Sequence, residues 1–370
     1  MASPFASRLA EAERGMAAAG VPAMLITNPA NLLYLCGFSG SAGRLLLAGG
    51  QLYFMTDFRY SRSVAALAAS WPEGSQVIET TGGYDDTLAR AVRDRGVMTL
   101  GFEPGHVTVA SFTDWQLRLP DVRLVPVPGL VERLRVVKSR AELAVLREAG
   151  RRISEIAASL TMWVRGGRSE QEIAADINYA MARAGFSRPA FDTIVASGPN
   201  AALPHARPGT RRLTAGDLVV VDFGGVLDGY AVDITRTFSV GPPAVWQQQL
   251  HAAVLEAQAA AVAVLKPGAR VQDVDDAART VLAGRGYEGA VRHAVGHGLG
   301  LEVHEEPRLS RDAPADAAPL AAGMVVTIEP GAYVDTPAGG VRIEDDLVVT
   351  DAGPEWLTEA PRELAVADVT

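Results

Sequence analysis

Cysteine is almost missing. Cys36 is the only one in 370 residues, so no intrachain disulfide can form, and the chain suits a reducing, cytoplasmic compartment. Positive charge is short as well. The 34 Lys and Arg face 43 Asp and Glu, and the net charge of −9 argues against nucleic acid or an anionic membrane as partner. Long apolar runs are also lacking. Segments such as AAVLEAQAAAVAVL are broken by Glu256 and are too short to span a bilayer. The opening MASPFASRLAEAERGMAAAG reads as a short amphipathic helix, without the basic stretch and apolar core of a signal peptide. No Walker or dinucleotide glycine pattern occurs, and DFGGV and SGPN do not fit a serine nucleophile elbow.

What remains is an ordinary globular composition, 48% apolar and 21% charged, in a chain long enough for two domains. Residues 1–131 alternate helix and strand patterns, which implies an α/β layer. PAMLI, VIET and VMTLGFE read as strands, and NLLYLCGFSGSAGRLLLAGGQLYFMTD reads as strands joined by glycine-rich turns. SRSVAALAAS, DDTLARAVRDRG and SFTDWQLRL read as helices. This half has no cluster of His, Asp and Glu. Asp57, Arg59 and Tyr60 read as a structural ion pair beside a packed ring, and His106 as a surface residue. Pro126, Pro128 and Gly129 mark a boundary, and residues 132–370 form the second domain. Its first long helix opens with Ser139 as N-cap and Glu142 completing a capping box.

The second domain is internally duplicated. Val164 to Phe186 aligns with Leu265 to Tyr287 at a constant offset of 101, each copy an apolar-striped helix closed by glycine. Further on, His205 in HARP matches His304 in HEEP, and LTAGDLVVVDFGG matches LAAGMVVTIEPGA. Asp222 thereby corresponds to Glu329, and Asp233 to Glu344. Pseudo-twofold packing of the copies would bring all four carboxylates to one axis.

Asp222 and Asp233 belong to one hairpin. An apolar strand, Leu218 to Val221, ends at Asp222. Gly224, Gly225, Asp228 and Gly229 read as turn formers, and a second strand from Tyr230 carries Asp233. Buried carboxylates are costly unless paired or metal-bound, and neighbours repel, so a positive group belongs between them. HAVGHGLGLEVHEEP adds His293, His297 and His304. Four carboxylates and one imidazole suit two divalent cations, which together can activate a bridging water and polarise a carbonyl. His297, between Gly296 and Gly298, reads as the imidazole ligand. His205 and His304 read as catalytic or substrate-contacting residues, and His293 as a pocket residue. His251 and Asp217 are assigned to the surface or a turn.

VDFGG…DGYAVDITRTF, HAVGHGLGLEVHEEP, TIEPGAY and GGVRIEDDLVV resemble the aminopeptidase P and prolidase branch of the pita-bread metallopeptidases. NLLYLCGFSGS and FMTDFRY resemble the creatinase-like N-terminal α/β domain (ribonuclease H-like) that precedes an α+β pita-bread catalytic domain in that branch. The resemblance implies that Asp222 chelates one ion, Asp233 and Glu344 bridge both, and His297 and Glu329 hold the other. It implies a proton-shuttling Glu329, substrate contacts by His205 and His304, and a site lined by His293 and Arg342. The implied reaction is hydrolysis of Xaa-Pro bonds with manganese, cobalt or zinc, by a homodimer acting on proline-containing di- or oligopeptides. The compact N-terminal domain points to a dipeptidase (prolidase) rather than aminopeptidase P acting on longer peptides. A metal-free creatinase-like hydrolase or a non-catalytic binding protein would be expected to lack ligands that are all present here.

Overall fold

The computed structural model describes residues 4–370. The chain falls into two compact units, Met1–Arg135 and Val136–Thr370.

The first unit is a six-stranded mixed sheet with helices packed on it. From edge to edge the strands are Gln76–Glu79, Gln51–Thr56, Arg44–Ala48, Ala23–Ile26, Thr99–Phe102 and Arg123–Pro126. Leu25, Leu46, Met55 and Leu100 from the sheet pack with Leu88, Val92 and Trp115 from two helices. Asn31 to Cys36, expected as strand, lies instead in the helix Pro29–Cys36. Its caps decide this. Asn28 accepts a hydrogen bond from the Ala30 N–H, Pro29 opens the first turn, and Gly37 closes the helix at φ 79°. Asp57 and Arg59 form the expected ion pair, through two side-chain hydrogen bonds of 2.9 and 2.8 Å.

The second unit shows the duplication as structure. The helices Arg140–Ala158 and Glu170–Arg183 precede one sheet, and Val245–Val264 and Val271–Gly284 precede another. The aligned helices Glu170–Arg183 and Val271–Gly284 begin and end at the same points of the repeat, 101 residues apart. The Ser139 and Ser169 capping boxes both form. In the first sheet, Tyr230–Val240 and Leu218–Leu227 are the central strands, and every residue of both is buried. That explains the unbroken apolar run before Asp222: a strand covered on both faces has no solvent side to alternate with. The second sheet runs Glu305–Leu309, Gly296–Gly298, Val325–Ile328, Asp345–Val348 and Glu355–Trp356. A separate hairpin, Gly331–Asp335 with Ala338–Arg342, completes the unit.

The hairpin turn falls later than the glycine pattern suggests. Asp228 and Gly229, at φ 48° and 90°, make the tight reversal. Gly224 and Gly225 are strand residues, not turn residues. A Cβ on Gly224 would lie 2.3 Å from the Val232 carbonyl oxygen, and one on Gly225 would lie 2.6 Å from the Phe186 ring. These glycines allow close packing within the sheet. No helix among the described residues is long and apolar enough to cross a membrane.

Candidate metal centre

Register places the carboxylates. In the Leu218–Leu227 and Tyr230–Val240 pair, Thr235 stands opposite Asp222, and Gly224 opposite Asp233. Side chains alternate with period two, so Asp222, Asp233 and Thr235 share one face. The other copy delivers Glu329 just after Val325–Ile328, and Glu344 between Ala338–Arg342 and Asp345–Val348. The two copies then meet directly. Thr235 and Glu344 form an antiparallel bridge, the Glu344 N–H donates to the Thr235 carbonyl, and the Asp233 N–H donates to Asp346 Oδ2 at 2.9 Å. An antiparallel pair is itself twofold symmetric, so the axis of the duplication runs through this contact, centred on Ile234 and Asp345.

Donor atoms of Asp233, His297 and Glu344 lie within 4.8 Å of one another. His297 Nε2 is 3.3 Å from Glu329 Oε1. The glycines beside His297 act as expected: a Cβ on Gly296 would strike the Thr327 carbonyl oxygen at 2.0 Å, and one on Gly298 the Glu306 carbonyl oxygen at 2.2 Å. His297 Nδ1 lies 3.0 Å from the Gly298 carbonyl, which can only accept, so Nδ1 carries the proton and Nε2 is left with a free lone pair.

The electrostatics call for cations. Burial, then the charges of Glu344 and Asp222, push the Asp233 carboxyl well above the usual carboxylate range. Burial, then Glu329 and Asp222, do the same to Glu344, and burial also raises Glu329. Desolvation lowers His293, His297 and His304, which favours neutral imidazoles. Asp222 Oδ1 and Asp233 Oδ1 are buried without a hydrogen-bond partner. Orphaned anionic oxygens converging on a neutral imidazole fit divalent metal ions and leave little other explanation.

One cation is built in. Arg342 donates through Nη2 to Asp222 Oδ2, through Nη1 to Tyr333 Oη at 2.7 Å, and through Nε to Thr235 Oγ1 at 3.2 Å. Its Nη1 also reaches the Pro204 carbonyl at 3.2 Å, which anchors the loop carrying His205. Tyr333 Oη is 2.8 Å from His293 Nε2, and His293 Nδ1 is 2.8 Å from the Ala294 carbonyl. Because arginine and a carbonyl fix the two ends, the protons run Arg342 to Tyr333 to His293 to Ala294.

The structure therefore gathers Asp222, Asp233, His293, His297, Glu329, Arg342 and Glu344. His304 joins them edge-on to His297, with ring centroids 4.4 Å apart. His205 and His304 are both exposed, on the solvent side of the buried carboxylates. One assignment needs correction. His251 is 5% exposed, in the core rather than at the surface, and desolvation there lowers it to about 4. Asp217 closes the turn Thr214–Asp217, as expected, its N–H donating to the Thr214 carbonyl at 3.1 Å; its side chain is buried, accepting hydrogen bonds from Arg211 at 2.6 Å and from the Thr214 N–H at 2.8 Å. Tyr333, Thr235 and Arg308 were not singled out by sequence reasoning. Arg308 is exposed and pairs with His297 across the ladder, so both side chains emerge on one face.

The model of metallopeptidase family M24 matches residues 144–351, and that of the creatinase/prolidase N-terminal domain matches residues 8–137. The chain is 34% identical over 346 residues to an Xaa-Pro dipeptidase of Pyrococcus horikoshii, covering 93% of this chain and 94% of that protein. The structure of an Xaa-Pro dipeptidase from Bacillus anthracis superposes with a TM-score of 0.93 at 34% identity, over 98% of this chain and 99% of the other. That of an X-Pro aminopeptidase from Thermotoga maritima gives 0.85 at 33% identity, over 95% and 99%.

Proposed function

We propose an Xaa-Pro dipeptidase, and the premise is plain: the chain belongs to metallopeptidase family M24, with a creatinase/prolidase N-terminal domain and a pita-bread catalytic domain. It is a metal-using peptidase by that membership. The observation that carries the finer reading is the set of five donors, Asp222, Asp233, His297, Glu329 and Glu344, with two carboxylate oxygens buried and unpartnered.

In this reading Asp222, Asp233, His297, Glu329 and Glu344 would together hold two divalent ions. Bound, the ions supply Lewis acidity, which makes water more acidic and polarises the scissile carbonyl. Manganese is the ion to test first, with cobalt and zinc beside it, because four carboxylates and one imidazole form a mostly oxygen site. In this reading Glu329 takes the proton of the attacking water and delivers it to the proline nitrogen as the C–N bond breaks. His205 and His304, on the exposed side, donate to the oxygen of the tetrahedral intermediate. Arg308, exposed across from His297, is placed to receive the carboxylate of a dipeptide. A cation on that face would favour short substrates, whose free carboxylate lies next to the scissile bond. The likeness to an X-Pro aminopeptidase supports cleavage of longer peptides as the second reading.

Initial rates on Xaa-Pro dipeptides, against tripeptides and longer peptides with Mn2+, test the proposal. Dipeptides should win, and chelation should abolish activity. Preference for longer peptides moves the assignment to an aminopeptidase, and activity in metal-free protein removes the metal reading. The reading includes a cytoplasmic homodimer with no nucleic-acid or membrane partner. Light scattering of the purified protein checks the assembly.

A further inference from the structure

The repeat that pairs Asp233 with Glu344 also pairs Thr235 with Asp346, each two residues further along. These second residues cross over. Thr235, on the strand of Asp233, contacts Glu344: its Oγ1 donates to Glu344 Oε2 at 2.6 Å, and its carbonyl accepts the Glu344 N–H. Asp346, on the strand of Glu344, contacts Asp233 by accepting its N–H at 2.9 Å. Each copy thus holds the other's bridging carboxylate. Thr235 and Asp346 are fully buried.

The Thr235 hydroxyl has only one arrangement. Arg342 Nε, which can only donate, points at Oγ1 from 3.2 Å. The hydroxyl must accept from Arg342, so its own proton goes to Glu344. That bond commits Glu344 Oε2 and fixes the rotamer that brings this side chain to Asp233 and His297. Without the hydroxyl, Arg342 Nε loses its acceptor and Glu344 Oε2 loses its donor. Glu344 is then no longer held in the rotamer that the Thr235 bond sets. Asp346 does the corresponding work on the backbone of Asp233.

We propose that Thr235 and Asp346 are positioning residues, a crossed clasp that sets the geometry of the two repeat-related carboxylates and through it the affinity for divalent metal. The inference rests on the reading of this centre as a metal site. Loss of one outer partner of a metal ligand weakens metal binding by about 10- to 100-fold. The test titrates the metal-free protein with Mn2+ and counts free ion by electron paramagnetic resonance, with no turnover involved. Thr235→Val, which keeps shape and loses the hydroxyl, should weaken Mn2+ binding by that factor, and Thr235→Ser should restore most of it. Asp346→Asn keeps an acceptor for the Asp233 N–H and should bind better than Asp346→Leu. Wild-type affinity in Thr235→Val overturns the proposal, and so does a Thr235→Ser no better than the valine variant. If Thr235→Val fails to fold by circular dichroism, the Asp346 pair decides, and equal affinities there overturn it. A wild type that binds Mn2+ no better than a noncognate protein removes the metal reading itself and this inference with it, whereas the variant outcomes bear on the clasp alone.

Discussion

Replacing Asp233 by asparagine should move stability in opposite directions with and without metal. Donor atoms of Asp233, Glu344 and His297 lie within 4.8 Å, and the repulsions raising Asp233 come from Glu344, Asp222, Asp346 and Glu329. Two unit charges at that separation repel by about 3.5 kcal/mol at an effective dielectric constant near 20. Partial protonation already relieves part of this, so removing one charge should stabilise the metal-free protein by about 1–3 kcal/mol. At roughly 2–4 °C per kcal/mol, the melting temperature rises by several degrees. Metal reverses the order. An ion present at 100 times its dissociation constant stabilises by about 2.7 kcal/mol; binding 100-fold weaker leaves about 0.4 kcal/mol at the same concentration. The assay is thermal melting of wild type and Asp233→Asn, each with chelator and with Mn2+, alongside metal content. The expected sign is a variant that melts above wild type in chelator and gains little from Mn2+. A variant that melts lower in chelator, or gains as much from Mn2+ as wild type, refutes the reasoning that these carboxylates are an anionic cage. Glu344→Gln should behave alike.

His304→Ala should lower kcat by about 100-fold while metal content stays at the wild-type level, as for loss of one oxyanion donor, and a normal kcat would make His304 a packing residue only. Arg308→Ala should raise KM for dipeptides and leave tripeptides little changed; an equal effect on both would remove Arg308 from carboxylate recognition. His251 titrates near 4 in the fold against an ordinary 6.5, because burial disfavours its charged form. Between those values the unfolded chain binds the extra proton, so stability is full above 6.5 and falls by up to about 3 kcal/mol as pH drops toward 4. Denaturant melts of wild type and His251→Leu across this range should show a shallower acid limb in the variant, and parallel limbs would place His251 in a wetter setting.

The site was more legible than the local structure around it, and the reason is the duplication. A carboxylate recurring at matched positions of two copies is improbable by chance, so Asp222, Asp233, Glu329 and Glu344 stood out without any knowledge of contacts. Thr235 and Tyr333 did not, because an uncharged hydroxyl carries no such signal. Their importance comes from Arg342, which lies 107 residues from Thr235 and 9 from Tyr333 in sequence. Gly224 and Gly225 look like turn glycines because composition cannot tell a positive φ from a close approach. The close approach depends on Val232, Phe191 and Phe186. Asn31 to Cys36 misled for a different reason: Leu-Leu-Tyr-Leu suits a strand, while the decisive Asn28, Pro29 and Gly37 lie outside it. His251 was lost because burial of one histidine on a long helix depends on chain that arrives over a hundred residues later, at Arg362 and Glu363.

Symmetry also explains why catalysis needs more than the repeat supplies. Asp222 and Glu329 are counterparts, yet their surroundings differ in kind. Asp222 Oδ2 accepts a hydrogen bond from the Arg342 guanidinium, a permanent charge. Glu329 has histidines instead: His297 Nε2 at 3.3 Å and His293 Nδ1 at 3.9 Å, both rings held toward neutrality by burial. Its carboxyl is pushed upward by desolvation. The duplicated strands thus supply four acids in a symmetric frame. Arg342 bonded to Asp222 and the histidines beside Glu329 give the two counterparts unlike surroundings, and the proposed division of labour, Asp222 as ligand and Glu329 as proton carrier, draws on that asymmetry rather than on the repeat.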